Sequence, residues 1–263
     1  MMPKSLYTPY RRNVISRLAI VWILFLPLSG CAYLGPLVSD INLISIQEEQ
    51  TLGEQISAQI ASEMPLVDDA KLSSRVSYLG ERLVNQLPRK DFDYQFHVVN
   101  DPTPNAFTIP GGIIYAQTGL LDFVDDDDEL AAVLAHEIAH AYERHPTKSL
   151  TRSYGFNYLV GLLFKEEPGK LKKMGLELAA GTVLNAYGRD DEREADRIAF
   201  SLLKSSGFRT DGLLRFFKKM QQNNPAEAPI PFLSTHPATS ERIAYLEELE
   251  KTQGRVLVSE TAL

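Results

Sequence analysis

Little in these 263 residues can cross-link the chain, span a bilayer or grip nucleic acid. There is one cysteine, Cys31, which excludes an intramolecular disulfide whatever compartment the chain enters. The most apolar run, Leu18–Leu28, is too short for a comfortable membrane helix. Lys and Arg number 27 against 34 acids, the formal charge is −7, and no basic patch stands out, so nucleic acid is not an expected partner. Histidine is scarce too, with five in the chain. Composition is otherwise that of a globular protein with one sizeable core, and one catalytic domain is expected rather than two.

Three of the five histidines fall in Leu130-Ala-Ala-Val-Leu-Ala-His-Glu-Ile-Ala-His-Ala-Tyr-Glu-Arg-His145, and the rest of the chain is organised around this stretch. His136-Glu137-x-x-His140 places two imidazoles four residues apart, on one face of a helix and in reach of one metal ion. Glu137 follows the first of them, where its carboxylate can hold the attacking water without being a ligand. Asp126, Asp127 or Asp128 can cap the helix, acids fill its first turn, and Arg144 and His145 are expected in its last. Leu130, Leu134, Ile138 and Ala141 make an apolar stripe, with Val133, His136, Glu137 and His140 on the opposite side. Acids at Asp125–Glu129 and Asp190–Glu194 suit a nearby cation, or simply solvated helix starts.

The N-terminus reads as a targeting segment. Lys4, Arg11, Arg12 and Arg17 precede the apolar run, and no acid occurs before Asp40. The run ends in Leu28-Ser29-Gly30-Cys31, which resembles the lipobox of bacterial lipoproteins. The resemblance implies cleavage before Cys31 and lipidation of its thiol, and Ala32 in place of Asp implies transfer to the outer membrane. An uncleaved anchor or an ordinary secretory signal is the competing reading. Cleavage would remove those four cations, leaving about −11 from −7, so lipid rather than charge would hold the protein to a membrane. The expected organisation is signal peptide 1–30, lipidated tether 31–43, zinc metallopeptidase domain 44–252 and tail 253–263.

Along the mature chain, Ile44–Met64 has helical spacing, and Ala70–Gln86 forms a second helix capped by Asp68 or Asp69. Phe92–Asn100 alternates as a strand carrying His97, expected to be a packing or surface residue. Asn105–Gly119 reads as a strand broken at Pro110-Gly111-Gly112 and resumed, a pattern confined to an edge or a bulge. An exposed edge at Asn105, Ala106, Phe107, Gly111 and Gly112 could bind an extended substrate by strand addition; an ordinary hairpin is the alternative. Ser153–Phe164 and Leu171–Tyr187 read as apolar helices joined by Lys165–Lys170, a mobile lid or a plain turn.

A catalytic zinc takes three protein ligands and keeps an open position. On a helix through Arg189–Leu203, Glu192, Ala195, Asp196, Ala199 and Leu203 share one inward stripe, with Glu194 opposite. Buried carboxylates need a metal or donors, so Glu192 is assigned as third ligand and Asp196 as the acceptor that orients a zinc-binding histidine. Together with Asn105-Ala-Phe-Thr-Ile-Pro-Gly-Gly and Thr235-His236-Pro237, these motifs resemble the zinc metallopeptidases that include the HtpX heat-shock proteases and CAAX prenyl endopeptidases, over about residues 44–250. The resemblance implies an α+β, mostly helical gluzincin-type fold with a small sheet beside the H-E-x-x-H helix. It implies one zinc per subunit on His136, His140 and Glu192, with Glu137 as base and acid. The family's long transmembrane helices and tetratricopeptide extension are missing, so the chain is most similar to small periplasmic lipoprotein members, and prenylated substrates are not expected.

His236 sits in a proline-rich loop, Asn224–Pro237, ahead of a final helix expected near Ala238. It could stabilise an oxyanion, occupy zinc's fourth position as a latch, or pack locally. His145 has the wrong helical phase for the same metal and is expected beside the ligands or at the surface. Tyr187 and Arg189 could bind substrate or pack the helix start. The expected activity is zinc-dependent endopeptidase action at the periplasmic face of the outer membrane, on extended or misfolded envelope proteins. Competing readings are an assembly factor that binds such proteins with little proteolysis, and a peptidoglycan amidase or other hydrolase.

Overall fold

The computed structural model describes residues 42, 44–154, 187–223 and 231–260, without the side chains at 153–154 and 253–260. The signal segment, Cys31, nearly all of the tether, most of the two helices expected within 153–187, their 165–170 link and residues 224–230 lie outside the described residues.

Helix α1, Ile46–Glu63, opens on a capping box: the Glu48 amide donates to Ser45 Oγ at 3.2 Å and the Ser45 amide to the Glu48 carboxylate at 2.8 Å. Leu52, Ile56 and Ile60 recur every fourth residue and are buried. Helix α2, Ala70–Val84, is capped by Asp69. Three strands follow, β1 (Gln95–Val99), β2 (Ala106–Ile109) and β3 (Ile113–Gln117). Their spatial order is β1-β3-β2, with β1 parallel and β2 antiparallel to the central β3. The break at Pro110-Gly111-Gly112 is thus a hairpin loop, with both glycines at positive φ (86° and 78°).

The edge expectation needs correcting in one respect. β2 is an edge strand, but β3 is the centre of the sheet, and Asn105, Ala106, Phe107, Gly111 and Gly112 are all buried. Phe107, Ile109, Ile113 and Tyr115 pack with Leu52, Ile56 and Ile60 of α1 on one face. Ala106, Ile114 and Ala116 join the larger core on the other. A sheet covered on both faces has no polar alternation to show. Only the backbone of β2 is left to an outside partner, and no strand among the described residues pairs with its outer edge.

After a short helix α3 (Thr118–Phe123) comes α4, Asp127–Tyr142, which carries the H-E-x-x-H motif. Asp126 caps it, accepting from the Glu129 amide at 2.9 Å. The apolar stripe and the opposite side that carries His136, Glu137 and His140 are both enclosed: every residue from Glu129 to Ala141 is buried. α2 packs on it, as do β2, α6 (Arg189–Ser205) and α7 (Gly212–Gln222), and its alanines let these neighbours come close. The acids at its start serve the helix rather than a metal. Arg215 donates to Asp126 at 2.9 Å and Glu129 at 3.1 Å, and Lys219 to Glu129 at 2.8 Å.

The helix also stops earlier than expected. Arg144 takes φ 60°, a left-handed conformation costly for a residue with Cβ, and the chain turns there into α5, His145–Tyr154. The Arg144 guanidinium secures the turn by donating to buried Glu49 at 2.5 Å and to the Ile44 carbonyl. Helices α8 (Pro231–Thr235) and α9 (Ser240–Glu260) complete the described residues. No helix among them is long and apolar enough to cross a membrane.

Candidate metal centre

His136 and His140 project from α4, Glu192 from the first turn of α6, and His236 from the residue after α8. One donor atom from each lies within 4.8 Å of every other, and all four side chains are buried. His136 Nε2 is 3.0 Å from His140 Nε2, 3.2 Å from His236 Nδ1 and 3.4 Å from Glu192 Oε2. Glu192 Oε1 is 2.9 Å from His236 Nδ1 and 3.5 Å from His140 Nε2. Donors about 2.0–2.1 Å from a tetrahedral ion sit roughly 3.3–3.4 Å apart. The spacing and the N/O donor set therefore fit one divalent metal ion.

The structure thus brings together the three predicted ligands and adds His236 to them. Its imidazole is buried rather than packed on an outer surface, and its Nε2 faces Glu137 Oε1 at 3.4 Å. Glu137 itself is fully buried, and neither carboxylate oxygen has a hydrogen-bond partner among the described residues. An ionised carboxylate left like this is costly. Burial pushes its pKa up, with His236 and His136 partly offsetting the rise. A carboxyl raised toward neutrality is suited to taking up and returning a proton.

The surrounding groups orient the ligands. Asp196 Oδ1 lies 3.1 Å from His136 Nδ1, as expected for the acceptor behind a ligand. Burial opposes protonation of His136, but Asp196 and Glu192 outweigh it and lift its pKa to about 9. His140 goes the other way, driven well down by burial and by the His136 charge. Glu192 and Asp196 are held below the usual carboxylate range despite burial, Glu192 chiefly by His236 and Arg242 and Asp196 chiefly by Arg242. Both are therefore ionised as metal-site acids must be.

Arg242, on α9, was not singled out by sequence reasoning. It clamps Asp196 with two bonds, at 2.9 and 2.7 Å, reaches Glu192 Oε2 at 2.5 Å and donates to the Pro237 carbonyl at 3.1 Å. A lone arginine in a charged helix looks like any surface cation. His145 is not a surface residue: it is buried and its Nδ1 meets His140 Nδ1 at 2.9 Å. Tyr187 stacks on the His140 ring, with centroids 3.9 Å apart and planes 22° from parallel. Arg189 is exposed, beside a cavity of about 850 Å³ that also reaches Glu192 and Arg242. His97 is partly buried, as a packing residue against Tyr115.

With the geometry in place, comparison with known proteins decides the family. The model of Peptidase family M48 matches residues 70–250, well over half of the chain. The chain belongs to that family. Among curated M48 relatives, it is 29% identical to the beta-barrel assembly-enhancing protease of Yersinia pestis over 76% of its own length and 43% of the relative's. It is also 29% identical to the mitochondrial metalloendopeptidase OMA1 of Schizosaccharomyces pombe, over 79% of this chain and 62% of that one. The metalloprotease YcaL of Escherichia coli is 25% identical over 82% of this chain and 83% of the relative. The chain spans less than half the length of the beta-barrel assembly-enhancing proteases it matches. The M48 assignment agrees with the mostly helical fold, its small sheet and the clustered His136, His140 and Glu192.

Proposed function

We propose that this M48 protein is a zinc-dependent endopeptidase, one zinc per subunit, lipid-anchored through Cys31 at the periplasmic face of the outer membrane. It acts on extended or misfolded envelope proteins. The observation that carries the activity is a fully buried Glu137, with no hydrogen bond to either oxygen among the described residues, beside a convergent His136–His140–Glu192 donor set. Zinc, when bound, supplies a Lewis acid that polarises the scissile carbonyl and makes water more acidic. Glu137 takes the proton of the attacking water and returns it to the leaving amine. Asp196 and Arg242 hold His136 and Glu192 in place. The edge of β2, with Asn105 just before it and the Gly111-Gly112 loop just after it, aligns an extended substrate through its backbone. β2 packs against α4, the helix that carries Glu137, which puts the edge beside the reacting centre.

His236 is assigned as the fourth donor in a resting form, where it keeps substrate from the metal. Its position also favours a second reading. Four protein donors make a closed set, the arrangement of structural metal sites, and an assembly factor that binds unfolded outer-membrane proteins could use one. The substrate class is supported by the names of the beta-barrel assembly-enhancing relatives, and the anchor by the lipobox at Cys31.

The test is cleavage of a dye-labelled unfolded reporter by the full chain, comparing wild type, Glu137→Gln and His236→Ala at matched zinc content. Endopeptidase action requires cleavage by His236→Ala, with or without wild type, and none by Glu137→Gln. Zinc-loaded wild type and His236→Ala that both bind the reporter without cutting it would establish the binding factor instead. Labelled palmitate incorporated by wild type and not by Cys31→Ser would support the anchor.

A further inference from the structure

The Tyr187 side chain is 4% exposed, and its hydroxyl has no hydrogen-bond partner among the described residues. Buried phenols usually find one, and an unmet hydroxyl costs roughly 1–3 kcal/mol. The ring is held firmly. It lies parallel on His140 at 3.9 Å and packs 5.3 Å from the His236 ring. Gly188, immediately after it, caps α6, whose first turn carries Glu192. The phenol is therefore fixed to two ligand-bearing elements, and its polar end meets no partner among the described residues.

The surroundings say where that end lies. Burial raises the Tyr187 pKa well above its usual value, so the group stays a neutral donor, and among neighbouring charges Glu137 weighs most, ahead of Glu192 and Asp191. The ring neighbours two of the four clustered donors, His140 and His236, and His236 Nε2 in turn faces Glu137 Oε1 at 3.4 Å, which puts the phenol beside the catalytic carboxylate. In the resting arrangement the hydroxyl meets no acceptor among the described residues. Peptide hydrolysis supplies one. When the planar carbonyl becomes tetrahedral, its oxygen gains negative charge in a site closed to water. A fixed donor acts there with no cost of reorganisation.

We propose that Tyr187 is a catalytic residue whose hydroxyl donates a hydrogen bond to the oxyanion of the tetrahedral intermediate. The inference rests on the endopeptidase reading above. It gives His236 a purely inhibitory part, because the oxyanion donor is then the phenol and the imidazole need only leave. The unmet hydroxyl is the resting-state cost of a donor kept ready.

Tyr187→Phe removes the oxygen and keeps the ring on His140. In the full chain, in both wild-type and His236→Ala backgrounds, kcat on dye-labelled casein is expected to fall about 100-fold, the usual loss for one oxyanion donor. KM and zinc affinity, read by chelator competition, are expected to stay within about twofold. Affinity for a phosphinic pseudopeptide, a tetrahedral mimic, should fall in parallel with kcat, while affinity for the matching uncleavable peptide should not. The melting temperature should hold or rise, because a buried unpaired hydroxyl has been deleted. Unchanged kcat overturns the proposal. So does a fall in kcat accompanied by lower zinc affinity and a lower melting temperature, the signature of a structural hydroxyl. If neither parent cuts casein in a Glu137-dependent way, the endopeptidase reading fails, and this inference falls with it.

Discussion

His140 and His145 meet through their Nδ1 atoms at 2.9 Å across the end of the metal-binding helix. With Nε2 of His140 turned to the other donors, its Nδ1 carries the proton and His145 must accept it. The proton of His145 then sits on Nε2, facing Asp191 and Glu194, each 3.6 Å away. A histidine five places on would point elsewhere on a continuous helix. The left-handed turn at Arg144 swings it back. Outer partners of this kind typically contribute about 10–100-fold in metal affinity. His145→Ala is expected to weaken zinc binding by that order, and His145→Gln, which can still accept, by less. Competition against a calibrated chelator would measure both.

Arg242 holds two buried carboxylates, Glu192 and Asp196. Replacing it with Met would leave them without their cation, and breaking a buried pair from one side costs about 3–5 kcal/mol. Arg242→Met should therefore lower the unfolding free energy by that order in chelator-treated protein. Arg242→Lys, a single point charge in place of a planar fork, should recover only part of the loss. Urea titration would read the difference.

Gly53 provides a reversal of the ordinary rule. Glycine to alanine inside a helix normally gains about 1 kcal/mol. Here a Cβ would lie 2.0 Å from the Pro110 carbonyl oxygen of the hairpin loop. Gly53→Ala is expected to destabilise the protein by about 1–3 kcal/mol, as overpacking does, and to lower kcat by moving the loop that ends β2. An alanine variant at least as stable as wild type would show that the loop yields freely.

His97 makes stability pH-dependent away from the metal. Burial lowers its pKa from the ordinary 6.5, so in acid the unfolded chain takes up its proton before the folded one does. The contribution is fully present above that ordinary value and is lost as pH falls below it. His97→Phe, which keeps an aromatic ring against Tyr115, should flatten this part of the profile. Unfolding free energies of the two proteins at pH 7.5 and 5.5, both with saturating zinc, would test it. An equal loss in both would assign the acid sensitivity to other groups.

Most of the metal centre could be read along the chain because its ligands obey helical spacing. His136 and His140 are four apart, Glu192 and Asp196 are four apart, and each pair sits on one helix. Residues whose roles depend on how elements meet were harder to read. Arg242 matters because α9 crosses α6, and nothing in its neighbourhood distinguishes it from a surface arginine. His145 was judged by the phase of a helix that in fact ends before it. The apolar stripe of the metal helix was legible, but the enclosure of its opposite side was not, because alanines tolerate solvent and also permit close packing on every side. For the sheet, Pro110-Gly111-Gly112 was read as a break in one strand, with the hairpin that forms there kept as the alternative, and the pattern could not reveal that both faces of β2 and β3 would be covered.

The thirteen consecutive buried residues from Glu129 to Ala141 also govern how the protein trades its amide hydrogens with water. Only the ends of that helix, at Asp127, Asp128 and Tyr142, border solvent, so local fraying offers its inner amides no route to exchange. Those of His136, Glu137 and His140 can become labelled with deuterium only when the surrounding helices and sheet come apart together. Their exchange rates therefore measure the stability of the whole domain, and zinc binding should slow them all by a common factor.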